Sequence, residues 1–245
     1  YNAIGAALPM SDDDRRRGRT FYYADYCIGG GRKVYFEHSF PCCSGTYPQA
    51  LTEYFNLIYY TAADALYIAQ YLPSNVEADI DGKPVALEID GDYPEHDTIR
   101  ITIDTNGSFK LCMRVPSWLE PGKGEALLNG RRIELDMLPG SWAEIRRDWH
   151  KGDTLVLRFP MRLWTWPICP QHPEHAALMY GPLMLAALGK QRAIKGNIGE
   201  PDRIAERREG LRFVGTDSQG GQVEFVPYHE IGEKVWNTVY CDYAL

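Results

Sequence analysis

The residues best placed to do chemistry are two adjacent thiols in the run Pro41-Cys42-Cys43-Ser44-Gly45-Thr46. A helix is expected to start directly after them, because Leu51, Tyr54, Phe55 and Ile58 recur at three- and four-residue steps. Thr46 with Gln49 forms a capping box, and Pro48 falls in the first turn, where its missing N–H costs nothing. Free amide N–H groups and the helix dipole lower the pKa of a thiol held at that end. A thiolate there can act as a nucleophile or as a metal ligand. On these residues alone the opposing reading carries equal weight, namely that adjacent cysteines are small buried hydrophobes. A disulfide between chain neighbours would close a strained ring, so free thiols are expected.

Other candidates are weaker. A zinc ion wants about four ligands, and Cys27, Glu37 and His38 stand near the pair, but their spacing matches none of the common finger patterns. Asp25-x-Cys27 offers a carboxylate and a thiolate, although such an Asp more often caps a turn. His172 and His175, three apart beside prolines, read as junction histidines rather than as a metal pair. Trp142, Trp149, Trp164 and Trp166 can stack on sugar rings, yet in alternating strands tryptophan is core by default. Gly29-Gly30-Gly31 lacks the strand and lysine context of a phosphate cradle.

The elements that position these residues change character along the chain. The first forty residues are irregular, and the block Asp12-Asp13-Asp14-Arg15-Arg16-Arg17 reads as a solvated loop. Beyond residue 63 the apolar period switches to two. Val76, Ala78 and Ile80 turn at Asp81-Gly82 into Val85, Leu87 and Ile89, a hairpin signature. Ile99, Ile101 and Ile103 form a further strand, as do Phe109, Leu111, Met113 and Val115. Asn129-Gly130 turns Ala126–Leu128 into Ile133–Leu135. Residues Trp142 to Arg147, then Leu155, Leu157 and Phe159 after Lys151-Gly152-Asp153, complete an antiparallel all-β unit. The Pro- and Trp-rich stretch Pro160 to Pro173 reads as a junction. A second β unit follows, with buried strands around Gly181-Pro182.

Composition narrows the partners. A net charge of −7 over 245 residues disfavours a phosphate backbone, so nucleic acid is not expected. The longest apolar stretch, Ala176 to Gly189, is too short to span a membrane, which needs about 20 residues. Six cysteines are too few for a disulfide scaffold. A free pair of adjacent thiols fits a reducing cytoplasm slightly better, while the sequon at Asn106 matters only in a secreted protein, so the compartment stays open.

With the cysteine run in place, the chain resembles the C-terminal part of glycoside hydrolase family 127, the β-L-arabinofuranosidase-like proteins. Leu111-Cys112-Met113-Arg114-Val115-Pro116-Ser117-Trp118, Trp149-His150-Lys151-Gly152-Asp153-Thr154 and Ala176 to Leu188 are similar to family landmarks in the same order. Tyr1-Asn2-Ala3-Ile4, Thr20 to Tyr26, Val226-Pro227-Tyr228 and Tyr240 extend the likeness over nearly the whole chain.

The resemblance implies a mainly β fold, two antiparallel β-sandwich domains preceded by a remnant of an (α/α)6 barrel. Its expected bounds are residues 1–63 for the remnant, 64–165 for the first sandwich and 166–245 for the second. It implies a retaining mechanism with Cys42 as nucleophile, and zinc held at Cys42 and Cys43 with Cys43 as the ligand proper. The family's further zinc ligands, a Glu and a Cys two residues apart, and its acid/base carboxylate lie upstream of Tyr1. No Glu-x-Cys occurs in these residues. The expectation is therefore a fragment, inactive by itself and binding zinc weakly or not at all, of an enzyme acting on arabinose-containing or related plant glycans. Its helical face at Leu51, Phe55 and Ile58 would be left open to self-association. Two rivals stand beside this reading: a non-catalytic carbohydrate-binding or scaffolding β-sandwich protein using Trp164 and Trp166, and a local structural zinc site of Cys27, His38, Cys42 and Cys43.

Overall fold

The computed structural model describes residue 2 and residues 23–24, 29–34, 42–191 and 193–244. The fold is mainly β, as expected, and divides into two compact units. One is Glu53–Met161; the other joins the described part of Tyr1–Thr52 to Arg162–Leu245.

Glu53–Met161 holds two sheets. The six-stranded sheet runs in the order Arg131–Ile133, Glu125–Leu128, Thr154–Arg158, Thr98–Ile103, Lys83–Asp90 and Ser74–Ile80, and the four-stranded sheet in the order Trp142–Trp149, Gly107–Arg114, Ala65–Ile68 and Tyr59–Ala62. Period-two alternation decides which face is inside. Val85, Leu87 and Ile89, then Ile99, Ile101 and Ile103, then Leu155 and Leu157 are all buried, while Glu88, Asp90 and Arg100 between them are exposed. Each such aliphatic side chain contributes about 1.5–3 kcal/mol by leaving water.

The two-residue turns lie where the sequence places them. Asp81 and Gly82 both have positive φ (57° and 71°), as do Asn129 and Gly130 (51° and 76°), which is the type I′ geometry that matches strand twist. Ile80 pairs with Lys83 across the first and Leu128 with Arg131 across the second.

Two features differ from expectation. The four-stranded sheet starts at Tyr59, before the switch read at residue 63, because Tyr59–Ala62 is an edge strand whose residues are mostly exposed and so carries no alternation to read. Pairing is also not wholly antiparallel. Ala65–Ile68 runs parallel to Lys110–Met113, since the hairpins between them belong to the other sheet.

Asp153 ties the turns of this unit together. Asn129 Nδ2 donates to its Oδ1 at 2.7 Å and the His150 amide donates to its Oδ2 at 3.0 Å, while Asn129 Oδ1 accepts from the Thr154 amide at 2.8 Å. The His150 and Asn129 donors hold the carboxyl below its ordinary value. A depressed folded pKa stabilises above the unfolded value near 3.8 and loses that contribution as pH falls through the folded value. Asp153→Ala is expected to cost about 1–3 kcal/mol in urea unfolding at pH 7, because the Asn129 and His150 donors are left unpaired. The gap from wild type should shrink in acid below the folded value. An equal gap at pH 7 and in that acid range would contradict the account.

Beside the short pair Tyr23–Ala24 and Lys33–Val34, the second unit holds a nine-stranded sheet. Its main path is Ala193–Lys195, Tyr240–Ala244, His172–Tyr180, Leu183–Leu188, Gln222–Pro227, Phe213–Thr216 and Ala205–Arg207, with Leu163–Cys169 also on His172–Tyr180 and Asn237–Thr238 also on Leu183–Leu188. Pairing is antiparallel except for Ala193–Lys195 on Asp242–Ala244. Both faces of the central strands are covered. Leu178, Leu185 and Ala187 pack with Phe213 and Phe225 in one cluster, whereas Ala177, Met179, Met184 and Ala186 pack with Val226 and Tyr228 in another. That explains the unbroken apolar run Ala176–Leu188. Gly181, at φ 52°, supplies the first position of the two-residue turn between Tyr180 and Leu183, with Pro182 at the second, as a type II′ turn requires. No described helix is long and apolar enough to cross a membrane.

Candidate functional site

The helix Cys42–Asn56 starts one turn earlier than expected, so both cysteines lie inside its first turn rather than before it. Thr46 is the fifth helical residue, not the cap, and Pro48 the seventh. Proline there denies Ser44 C=O its usual partner four residues on. Thr52 Oγ1 in turn donates to Pro48 C=O at 3.0 Å. The first turn holds no acidic residue. Of the other ligand candidates, Asp25, Cys27, Glu37 and His38 lie outside the described residues.

The helix does not present one buried apolar face. Leu51 and Tyr54 are half-buried, Phe55 is 60% exposed and Leu57 45% exposed, and only Ile58, beyond the last helical residue, is fully buried. The Tyr54 hydroxyl donates to Gln70 Oε1 at 3.4 Å.

Cys112 and Cys241 are buried free thiols of a different kind. Burial pushes the Cys241 thiol up to about 12 and that of Cys112 above its ordinary value. Neither has the reactivity of a thiolate near neutral pH. Lys33, which carries no local signal of a role, is fully buried, and burial lowers its amine to about 7. Its Nζ donates to Tyr228 C=O at 2.7 Å and lies 4.2 Å from the centre of that ring, a structural arrangement for this amine.

The tryptophans divide. Trp149 is core, as expected by default. Trp164 is half-buried with its indole N–H donating to Gly181 C=O at 2.7 Å, and Trp166, 55% exposed, meets it edge-on with centroids 5.5 Å apart. These two rings do not form a flat platform. Trp142 stands edge-on to Tyr67 and, with Tyr60, Gln70, Arg114 and Ser141, lines a groove of about 480 Å³ within Glu53–Met161. Aromatic faces beside amide, guanidinium and hydroxyl groups suit a polar ring-shaped ligand.

His172 and His175 are brought together, and Glu174 joins them. Among the described residues they are the one group of three or more such side chains whose donor atoms gather closely enough to hold a metal ion, all within 4.8 Å of one another. The sequence showed the two histidines but not the strand irregularity that gathers them.

These sheets recur in solved glycoside hydrolases. A GH127 β-L-arabinofuranosidase from Geobacillus stearothermophilus T6 superposes with a TM-score of 0.66 at 21% identity, covering 83% of this chain and 38% of its own. A protein described as a glycoside hydrolase gives 0.75 at 18% identity, covering 100% and 47%, and a GH127 β-arabinofuranosidase gives 0.72 at 18%, covering 98% and 44%. At these identities the likeness is one of fold, and this chain spans less than half the length of each. None of the curated proteins matches it. Residues 65–161, nearly the whole of the unit Glu53–Met161, match the family model of the β-L-arabinofuranosidase GH127 middle domain.

Proposed function

We propose that this chain is part of a retaining glycoside hydrolase acting on terminal β-L-arabinofuranosides or similar sugars, with Cys42 as its nucleophile. The observation that carries the reading is a GH127 middle domain at 65–161 preceded by a helix whose first turn holds Cys42 and Cys43. In the first displacement the Cys42 sulfur forms a bond to the anomeric carbon as the bond to the leaving oxygen breaks, and that oxygen takes a proton from an acid. Water then displaces the sulfur, so configuration is retained and the thiolate is restored. A thiolate thus stands where most retaining glycosidases place a second carboxylate.

Zinc belongs to the same reading, with Cys43 as its ligand. Cys42 and Cys43 supply at most two donors, half of a usual four-coordinate set, and no Glu-x-Cys occurs in these 245 residues. The donors present therefore do not make up that site by themselves, and the displacement above is written without it. The expected behaviour is zinc retained by a complete parent and bound weakly, if at all, at the pair in this chain alone.

Turnover of an aryl β-L-arabinofuranoside tests the reading, with activity in a complete parent and none in the 245 residues alone. Full turnover by these residues would overturn it. The second reading, a carbohydrate-binding module, draws on the Trp142 groove rather than on Trp164 and Trp166. Retardation on glycan gels without turnover by any longer parent would favour it. Exposed Phe55 and Leu57 are expected to drive self-association at high concentration, which Phe55→Ser should reduce in light scattering. A monodisperse wild-type monomer would count against that.

A further inference from the structure

We propose that His172, Glu174 and His175 form a surface site for a divalent transition-metal ion of the zinc type, separate from the cysteine pair. His172 Nδ1 lies 3.0 Å from Glu174 Oε1, and His175 Nε2 lies 3.6 Å from the same oxygen. An ion bound tetrahedrally to imidazole nitrogen and carboxylate oxygen at about 2.0–2.2 Å sets its ligand atoms about 3.3 Å apart. These two separations bracket that value, and all three donor atoms lie within 4.8 Å of one another.

The other nitrogen of His175, Nδ1, is hydrogen-bonded to the Asp242 carboxylate. That bond places the ring proton on Nδ1 and leaves the Nε2 lone pair directed at Glu174, the arrangement by which a carboxylate orients a metal-binding histidine.

The strand explains why these side chains meet. Pairing steps from Pro167↔Ala176 to Cys169↔His172, so Ile168 alone faces Pro173, Glu174 and His175. On a regular strand His172 and Glu174 would share one face and His175 would take the other. The extra residues form a bulge, and a bulge re-aims side chains. Asp242 arrives from the neighbouring strand, where it pairs directly with His175.

The donor set also fixes the ligand class. Two imidazoles and one carboxylate suit zinc, nickel or copper, not magnesium or calcium, which want oxygen throughout. His172 and Glu174 are more than half exposed and His175 is a quarter exposed, which leaves room for water as the fourth ligand.

Zinc titration of the 245-residue chain by calorimetry tests the site, run beside His172→Ala/His175→Ala and beside Cys42→Ser/Cys43→Ser. One binding event should persist in the cysteine variant and weaken by about 10-fold or more in the histidine variant. Cobalt bound to the cysteine variant should give a visible spectrum free of thiolate charge transfer from that pair. Should His175→Ala disturb folding by circular dichroism, the exposed His172→Ala alone and Glu174→Gln carry the comparison. Zinc binding that disappears with the cysteines, or that ignores the histidines, would overturn the proposal. Because the cysteine variant reports on the pair separately, failure here leaves the glycosidase reading untouched, and the reverse also holds.

Discussion

On the proposed glycosidase reading, Cys42→Ser in a longer parent carrying these residues is expected to lower kcat by at least about 10³-fold, with KM changed far less. A serine hydroxyl at the same helical position is not ionised near neutral pH, whereas a thiol beside free helix N–H groups can be. In the proposed displacement the reacting bond is carbon to sulfur, so the variant would lose that first step rather than sugar binding. A slow fluorinated arabinofuranoside should leave a sugar adduct on the peptide containing Cys42, seen by mass spectrometry. That adduct should be absent in Cys42→Ser. Cys43→Ser should differ in kind by lowering the zinc content of the purified parent as well. Undiminished turnover in Cys42→Ser, or an adduct on a carboxylate, would remove the thiolate from the mechanism.

What the sequence discloses and what it hides follow from the range of each physical signal. Asp81-Gly82 and Asn129-Gly130 are legible because a type I′ turn demands positive φ at both positions, and few residue pairs tolerate it. Ile99, Ile101 and Ile103 are legible because one face of their strand is buried and the other wet. The parallel pairing of Ala65–Ile68 with Gly107–Arg114 is not legible, since nothing local to either strand names its neighbour. The start of the helix at Cys42 was obscured by a genuine capping pattern at Thr46 and Gln49, which the chain does not use as its cap. At His172 and His175 two residue types were visible. Their convergence depends on the register of Leu163–Cys169 and on Asp242, 67 residues after His175, and no spacing rule reaches that far.

Trp149→Ala should be among the most damaging substitutions in Glu53–Met161, destabilising by about 3–5 kcal/mol. The side chain is 1% exposed at the end of Trp142–Trp149, with its ring 5.7 Å from that of Phe109. Its indole N–H donates to Phe109 C=O at 3.1 Å, and the Arg147 guanidinium lies 5.2 Å from the ring centre. Truncation removes the packing and the donor together. Trp149→Phe keeps an aromatic ring and removes the N–H, so it should cost less, about 1–2 kcal/mol from the donor lost to the Phe109 carbonyl plus a share for lost volume. Urea unfolding followed by circular dichroism, at unchanged m-value, separates the two. Equal losses in both variants would make the hydrogen bond the dominant interaction. A loss under about 1 kcal/mol in Trp149→Ala would mean that the surrounding side chains collapse into the space, contrary to the close packing of a β interior.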